Sequence, residues 1–154
     1  MKREIFILPV IALIILGIFL SEKLQPPLEV RTIIILSAGG TEPGDNATDF
    51  ILESLNGTEI RLDAFEGKKN LILHFWSSNS ELTNLHTVRN FYGDRVEILG
   101  ISADANISNV RRMAKNINFP ILLDPSSEVK DAYGVSALPT TYFIDSNGLI
   151  IDKK

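Results

Sequence analysis

Cysteine is absent from the 154 residues. That single absence excludes disulfides, thiolate nucleophiles, Cys-ligated zinc and iron–sulfur clusters. Histidine is scarce: His74 and His86 are the only two, too few for a His-rich metal site. Positive charge is scarce as well. Lys and Arg number 15 against 19 Asp and Glu, a formal net charge of −4, so there is no basic excess to neutralise nucleic-acid phosphates. The rest is ordinary. Hydrophobic residues make up 45% and charged residues 22%, as in a folded globular chain, and the length fits about one domain.

Residues 5–20 carry no charge. As a helix the run is about 24 Å long at roughly 1.5 Å per residue. A hydrocarbon core is about 30 Å thick, and a signal-peptide core has about 7–15 residues. No Ala-x-Ala cleavage site follows Leu20; Ser21-Glu22-Lys23 stands there. Residues 1–20 therefore read as an uncleaved membrane anchor, with a cleaved signal peptide as the alternative. Lys2 and Arg3 hold the N-terminus in the cytoplasm by the positive-inside rule. This predicts a single-pass protein of the cell membrane with its domain extracytoplasmic. Residues 21–43 are assigned as a linker. Within it, residues 28–36 read as an extra strand or as juxtamembrane packing, and the breaker cluster from Ala38 to Gly44 opens the folded domain, 44–154.

Strand and helix signals alternate through that domain. Residues 49–53 and 58–62 flank Asn56-Gly57, which supplies the positive φ angles of a tight hairpin. Residues 70–76 are nearly all apolar, as in a strand covered on both faces. Residues 80–92 set Leu82, Leu85, Val88 and Phe91 at helical spacing, with Asn79 or Ser80 as the N-cap. Residues 96–101 form a second central strand. Asn106 caps a helix that carries Val110, Met113 and Ile117 on one face. Residues 126–133 are a short helix ended by Gly134, and residues 141–145 and 149–152 a closing hairpin. The order predicts an α/β layer fold with a central mixed sheet and flanking helices.

Four segments carry a family resemblance. Asp49-Phe50-Ile51-Leu52 with Asn56-Gly57 is similar to the opening hairpin of the TlpA/ResA-like redoxins. Residues 71–77 are similar to that family's strand ending in Phe-Trp-Ala. Phe119-Pro120-Ile121-Leu122-Leu123-Asp124, then Ala132-Tyr133-Gly134-Val135, resembles its "FPxLLD…AYGV" stretch. Pro139-Thr140-Thr141-Tyr142-Phe143-Ile144-Asp145 with Gly148 resembles its "PTTFLID-x-x-G" signature. The resemblance implies a thioredoxin-like fold with an N-terminal β-hairpin extension, and AhpC/TSA peroxiredoxins as the nearest relatives by fold. The family continues into a final helix after the closing hairpin. Here that C-terminal helix is expected to be missing, with a truncated reading frame as the alternative.

The departure lies at the chemistry. The family's Cys-x-x-Cys falls on Ser80, Glu81, Leu82 and Thr83, so hydroxyls replace both thiols. The family's exchange needs a thiolate stabilised at a helix N-terminus and a second thiol to resolve the mixed disulfide. A peroxidase needs a Cys that becomes a sulfenic acid. A hydroxyl does neither. A serine nucleophile would need a base held beside it. His74, six residues before Ser80, stands where thioredoxins keep a buried Asp; it also reads as a core histidine with a satisfied hydrogen bond. His86 reads as an exposed surface residue.

The remaining site positions follow from the resemblance. It implies that Pro139 is cis and that Leu138 offers main-chain groups to an extended peptide. Trp76, Leu138, Pro139 and Thr140 are thus the expected binding residues, with His74 a buried site position. Docking by main-chain pairing needs no thiol. The expected protein is a redox-inactive, membrane-anchored member of a thiol–disulfide oxidoreductase family with no cofactor or metal. Its expected partner is an extracytoplasmic polypeptide, an apocytochrome or a Cys-bearing redoxin. The alternatives are an inactive subunit beside a Cys-bearing oxidoreductase and a decayed redoxin.

Overall fold

Residues 33–78 and 82–154 are described by the computed structural model. The apolar run 5–20, and Asn79, Ser80 and Glu81, lie outside the described residues. The central strand is β4 (Asn70–Trp76), buried at every position after Asn70. Parallel to it lies β5 (Val96–Ser102), paired from Asn70↔Val96 to Trp76↔Ser102. Antiparallel on its other edge lies β7 (Thr140–Ile144), paired from Leu71↔Ile144 to Phe75↔Thr140. Outside these sit β6 (Ile121–Leu123), parallel to β5, and β8 (Ile150–Lys153), antiparallel to β7. The five-stranded sheet has the order β6-β5-β4-β7-β8, the mixed sheet that the sequence predicts. The sequence pattern gave no separate strand at β6, whose three residues are too few to show a period.

Alternation along β4 builds a core on each face. Leu71, Leu73 and Phe75 join Leu99, Ile101, Tyr142 and Ile144 on one side. Ile72 and Trp76 join Ile98, Phe119 and Ile121 on the other. Helices α1 (Thr83–Tyr92) and α2 (Ile107–Met113) cover the second side with Leu85, Val88, Ile107 and Val110. Helix α3 (Glu128–Ala132) covers the first with Val129. As predicted, the Asn106 side chain caps α2, accepting from the Asn109 N–H.

Three details differ from the expectation. Helix α1 begins at Thr83, and its cap position is Leu82, which makes no side-chain capping bond. Leu82 is only 5% exposed and packs with Trp76, so burial of an apolar side chain fixes this helix start, not a hydroxyl cap. Phe91 and Met113 are 75% and 41% exposed, although the pattern assigned both to the core. At about 100° per residue, Phe91 stands nine residues and hence half a turn away from Leu82. Met113 is the last residue of α2, where a 3₁₀ turn over Ala114–Asn116 changes the phase. Finally, α3 is shorter than predicted, because Ser127 ahead of it takes φ 62°.

A second sheet, ordered β1-β2-β3, packs against the first. It consists of β1 (Ile33–Ser37), β2 (Asp49–Glu53) and β3 (Glu59–Arg61). The β2–β3 hairpin is the one the sequence predicts, with Gly57 at φ 83°. Strand β1 pairs with β2 ahead of the boundary drawn at Gly44, because its apolar residues find a partner edge there. Bridges Ser54↔Leu122 and Asn46↔Leu149 join the two sheets. Tyr133 Oη donates to the Thr48 carbonyl at 2.7 Å, and Tyr142 Oη donates to the Tyr133 carbonyl. Around them the rings of Phe50, Phe75, Tyr133 and Tyr142 meet at centroid distances of 5.1–6.2 Å, each such pair adding about 0.5–1.5 kcal/mol beyond burial. Strand β8 is the last element of the chain, and its Ile151 is 56% exposed.

Gly100 of β5, opposite His74, is required by close approach. A Cβ there would lie 2.7 Å from Ile121 Cδ1 and 3.2 Å from Phe119 Cε2. Gly100→Ala is therefore expected to cost about 1–3 kcal/mol by overpacking, read as a lowered denaturation midpoint at unchanged slope. An unchanged midpoint would show that Ile121 yields freely.

Candidate functional site

The site forms where β4 ends. Continuing the β4–β7 register by one residue sets Pro139 opposite Trp76, just before the loop that leads into α1. The Leu138–Pro139 peptide is cis. Leu138 is half-buried, Pro139 is exposed, and both lie past the last ladder pair, Phe75↔Thr140. Thr140 Oγ1 donates to the Ala137 carbonyl at 2.7 Å and ties the turn together. Leu138, Pro139 and Thr140 are thus brought together at the end of β4.

Trp76 and Leu82 have other positions. Trp76 is wholly buried and its Nε1 has no hydrogen-bond partner among the described residues. It packs under the site and does not line its surface. Leu82 is likewise core, and Thr83 opens α1. Ser80 and Glu81 lie outside the described residues. The sequence reading missed a residue that shapes this end. Asp104 Oδ2 accepts from the Ser78 N–H at 2.6 Å, and Asp104 Oδ1 from the Ser78 hydroxyl at 3.4 Å. The Asp104 N–H in turn donates to Ser102 Oγ at 3.3 Å. Charge-assisted bonds to a main-chain N–H are among the stronger kind, so Asp104 fixes the path of the chain as it leaves β4. No local sequence signal marks this pair, which is 26 residues apart.

Asp124 is wholly buried and accepts from the N–H groups of Val129 at 3.3 Å and Lys130 at 2.8 Å. Burial raises its pKa, and the same backbone bonds oppose that rise. It anchors the start of α3 and faces no open site.

His74 is 7% exposed on the α1 and α2 side of β4. Its Nδ1 lies 2.9 Å from Thr141 Oγ1, and its Nε2 has no partner among the described residues. Among these residues one of the two ring nitrogens is satisfied. Burial lowers its pKa from 6.5, which keeps the ring neutral. His86 is half-buried, with its ring 6.0 Å from that of Phe119, and is not the exposed residue expected. Among the described residues no group of three or more His, Asp or Glu could hold a metal ion. A cavity of about 440 Å³ opens at the far end of the sheet, lined in part by Asp49, Asp63, Lys69 and Asp145. Its carboxylates serve local bonds: Asp49 accepts from the Asp63 N–H, and Asp145 from those of Asn147 and Leu149.

A cis proline thus stands beside the end of the central strand, from which the chain leads into α1. The model of the AhpC/TSA family matches residues 43–153. The chain belongs to the AhpC/TSA family. It is 36% identical over 115 residues to the thiol-disulfide oxidoreductase ResA of Geobacillus thermodenitrificans, covering 70% of this chain and 66% of that one. It is 31% identical over 120 residues to ResA of Bacillus thuringiensis, covering 73% and 69%. The chain thus spans about two thirds of the length of these relatives. A crystal structure of a Chlorobium tepidum thiol:disulfide interchange protein, DsbE, superposes with a TM-score of 0.67 at 23% identity, over 74% of this chain and 85% of that one. This AhpC/TSA member therefore has the thioredoxin-like fold of the ResA-type thiol–disulfide oxidoreductases, in a sequence without cysteine.

The lowered pKa of His74 has a sign. The unfolded chain takes up its proton near pH 6.5 and the folded chain only at lower pH. The stability due to neutral His74 is complete above pH 6.5 and is lost as pH falls from there toward the folded-state value. The slope is at most about 1.4 kcal/mol per pH unit for one proton. Chemical denaturation between pH 8 and 5 should show this loss in the wild type. His74→Gln should remove it, and the difference between the two isolates it from carboxylate titration. Parallel curves would place the His74 pKa at its ordinary value.

Proposed function

We propose that this AhpC/TSA member is a redox-inactive polypeptide-binding protein, held to the membrane by residues 5–20 with its domain outside the cytoplasm. The observation that carries the reading is a contrast within one site. The cis Leu138–Pro139 segment and the Asp104-pinned chain leaving β4 are present, while the only sulfur in the sequence belongs to Met1 and Met113. Thiolate attack, mixed-disulfide formation and sulfenic acid formation all need a thiol. Main-chain docking needs only N–H and C=O groups at an open edge. Leu138 lies past the end of the β4–β7 ladder, where an extended chain has room to pair. The partner is an extracytoplasmic polypeptide whose own cysteines are handled by other proteins. An apocytochrome or a Cys-bearing redoxin fits that description.

Two features support this reading. Lys2 and Arg3 precede the uncharged run, the pattern of a cytoplasmic N-terminus. Among the described residues no helix is long and apolar enough to cross a membrane, which leaves the run 5–20, outside them, as the segment with that composition.

The test is binding of a labelled synthetic peptide bearing a Cys-x-x-Cys-His haem-attachment sequence to the full chain in detergent micelles. Saturable binding is expected, with the peptide thiols unchanged at the end. Leu138→Pro removes one main-chain donor, worth about 1 kcal/mol, and should weaken binding about 5-fold. Equal binding by the variant would place the peptide elsewhere, and no binding at all would remove the proposal.

A further inference from the structure

The two apolar residues that leave the predicted core do so at one end of the molecule. Helices α1 and α2 follow β4 and β5, which run in parallel, and both pack on the same face of the sheet. Each therefore starts at the site end and runs back toward the opposite end. Both C-termini lie at that opposite end of the helical layer. His86 in the middle of α1 lies 6.0 Å from the ring of Phe119, on the segment that leads from α2 into β6, and both helices join the same core cluster. At the end of α1, Phe91 and Tyr92 are 75% and 45% exposed, and their rings meet edge-on at 5.1 Å. At the end of α2, Met113 is 41% exposed. Exposed cations occupy the same stretches: Arg95 after α1, and Arg111, Arg112 and Lys115 around the end of α2. Asp94 is the one exposed carboxylate in these two stretches, 91–95 and 111–116. The chain as a whole is acidic, so these two helix ends run against its overall charge.

We propose that this end of the helical layer rests on an anionic lipid surface. Aromatic rings with a polar tip and an apolar body favour the headgroup level of a bilayer. Lys and Arg add attraction to anionic lipid that decays within a Debye length. The chain outside the described residues fits this occupant. Residues 21–32 separate the uncharged run from β1, and 12 extended residues reach about 40 Å, enough for either end of a small domain to turn toward the bilayer. Composition then selects the face. With Phe91 and Tyr92 at the membrane, the Leu138–Pro139 end points away from it, toward polypeptides in the extracytoplasmic space. The inference rests on the anchor proposed above.

Full-length protein assembled into nanodiscs separates the two ideas. Amide exchange is followed by mass spectrometry in discs of phosphatidylcholine alone and in discs containing phosphatidylglycerol. Exchange across 88–95 and 111–116 is expected to slow at least about 5-fold in the anionic discs and to recover at high salt. Phe91→Ser combined with Arg111→Glu and Arg112→Glu should abolish the slowing and leave exchange of β4 and β5 unchanged. Protein that co-elutes with both discs but exchanges at one rate overturns the docking and leaves the anchor standing. Equal slowing in both lipids assigns the patch to a second copy of the chain and likewise overturns it. Protein that elutes apart from both discs overturns the anchor and this proposal together.

Discussion

Strand β4 is hydrogen-bonded along both edges and buried on both faces, and every other feature of the molecule is placed by it. Its parallel pairing with β5 sends α1 across one face. Its antiparallel pairing with β7 returns the chain so that Pro139 falls opposite Trp76. A strand that makes bonds on two edges while burying Leu71, Leu73, Phe75, Ile72 and Trp76 has no freedom to slip, because a shift of one residue would exchange its two faces. The site is the place where this rigid ladder stops. Its position depends on register and on the Asp104 bond to Ser78, with no contribution from sulfur.

On the proposed reading, that independence lets a redoxin scaffold stand without its chemistry. The resemblance sets Ser80 and Thr83 where the family has thiols, and they are close to cysteine in size. The scaffold around them is held by contacts that never involved a thiol: the Tyr133 and Tyr142 hydroxyl bonds, the Leu82 side chain in the core, and Gly100 giving room to Phe119 and Ile121. His74 carries a polar side chain into the second core, as Asp124 and Ser102 do elsewhere in the fold. Its Nε2 and the Trp76 Nε1, two residues on, have no hydrogen-bond partner among the described residues, on one face of the central strand. Burial without a partner is costly for a polar group, so this face is where the fold has most to gain from neutrality of the imidazole.

Much of the fold was legible because it is written in local patterns. The apolar run 70–76, the Asn-Gly hairpin and the Asn106 cap each declare themselves within a few residues, and each stands where the sequence puts it. The ends of the helices were less legible. Phe91 and Met113 fit a helical period counted from their neighbours, but the period drifts over nine residues in α1 and breaks at the 3₁₀ turn after α2. Strand β6 was hidden by its length. At the site, Leu138, Pro139 and Thr140 could be named from a motif. Asp104 could not, since its partner is brought near only by the pairing of β4 with β5. Trp76 is the opposite case: a motif names it, and its burial is a property of the second core that no motif records.

The central claim is that the scaffold is intact and that sulfur alone is missing. Turnover of a disulfide substrate by the full chain, with dithiothreitol as the reductant, tests it most directly when the wild type is set beside Ser80→Cys/Thr83→Cys. A cysteine at position 83 would stand at the first residue of α1, where the helix N-terminus favours a thiolate. The account predicts no catalysis above the uncatalysed rate for the wild type and weak but measurable turnover for the double variant. Catalysis by the wild type, or a double variant whose two thiols never pair and never turn over, would contradict it.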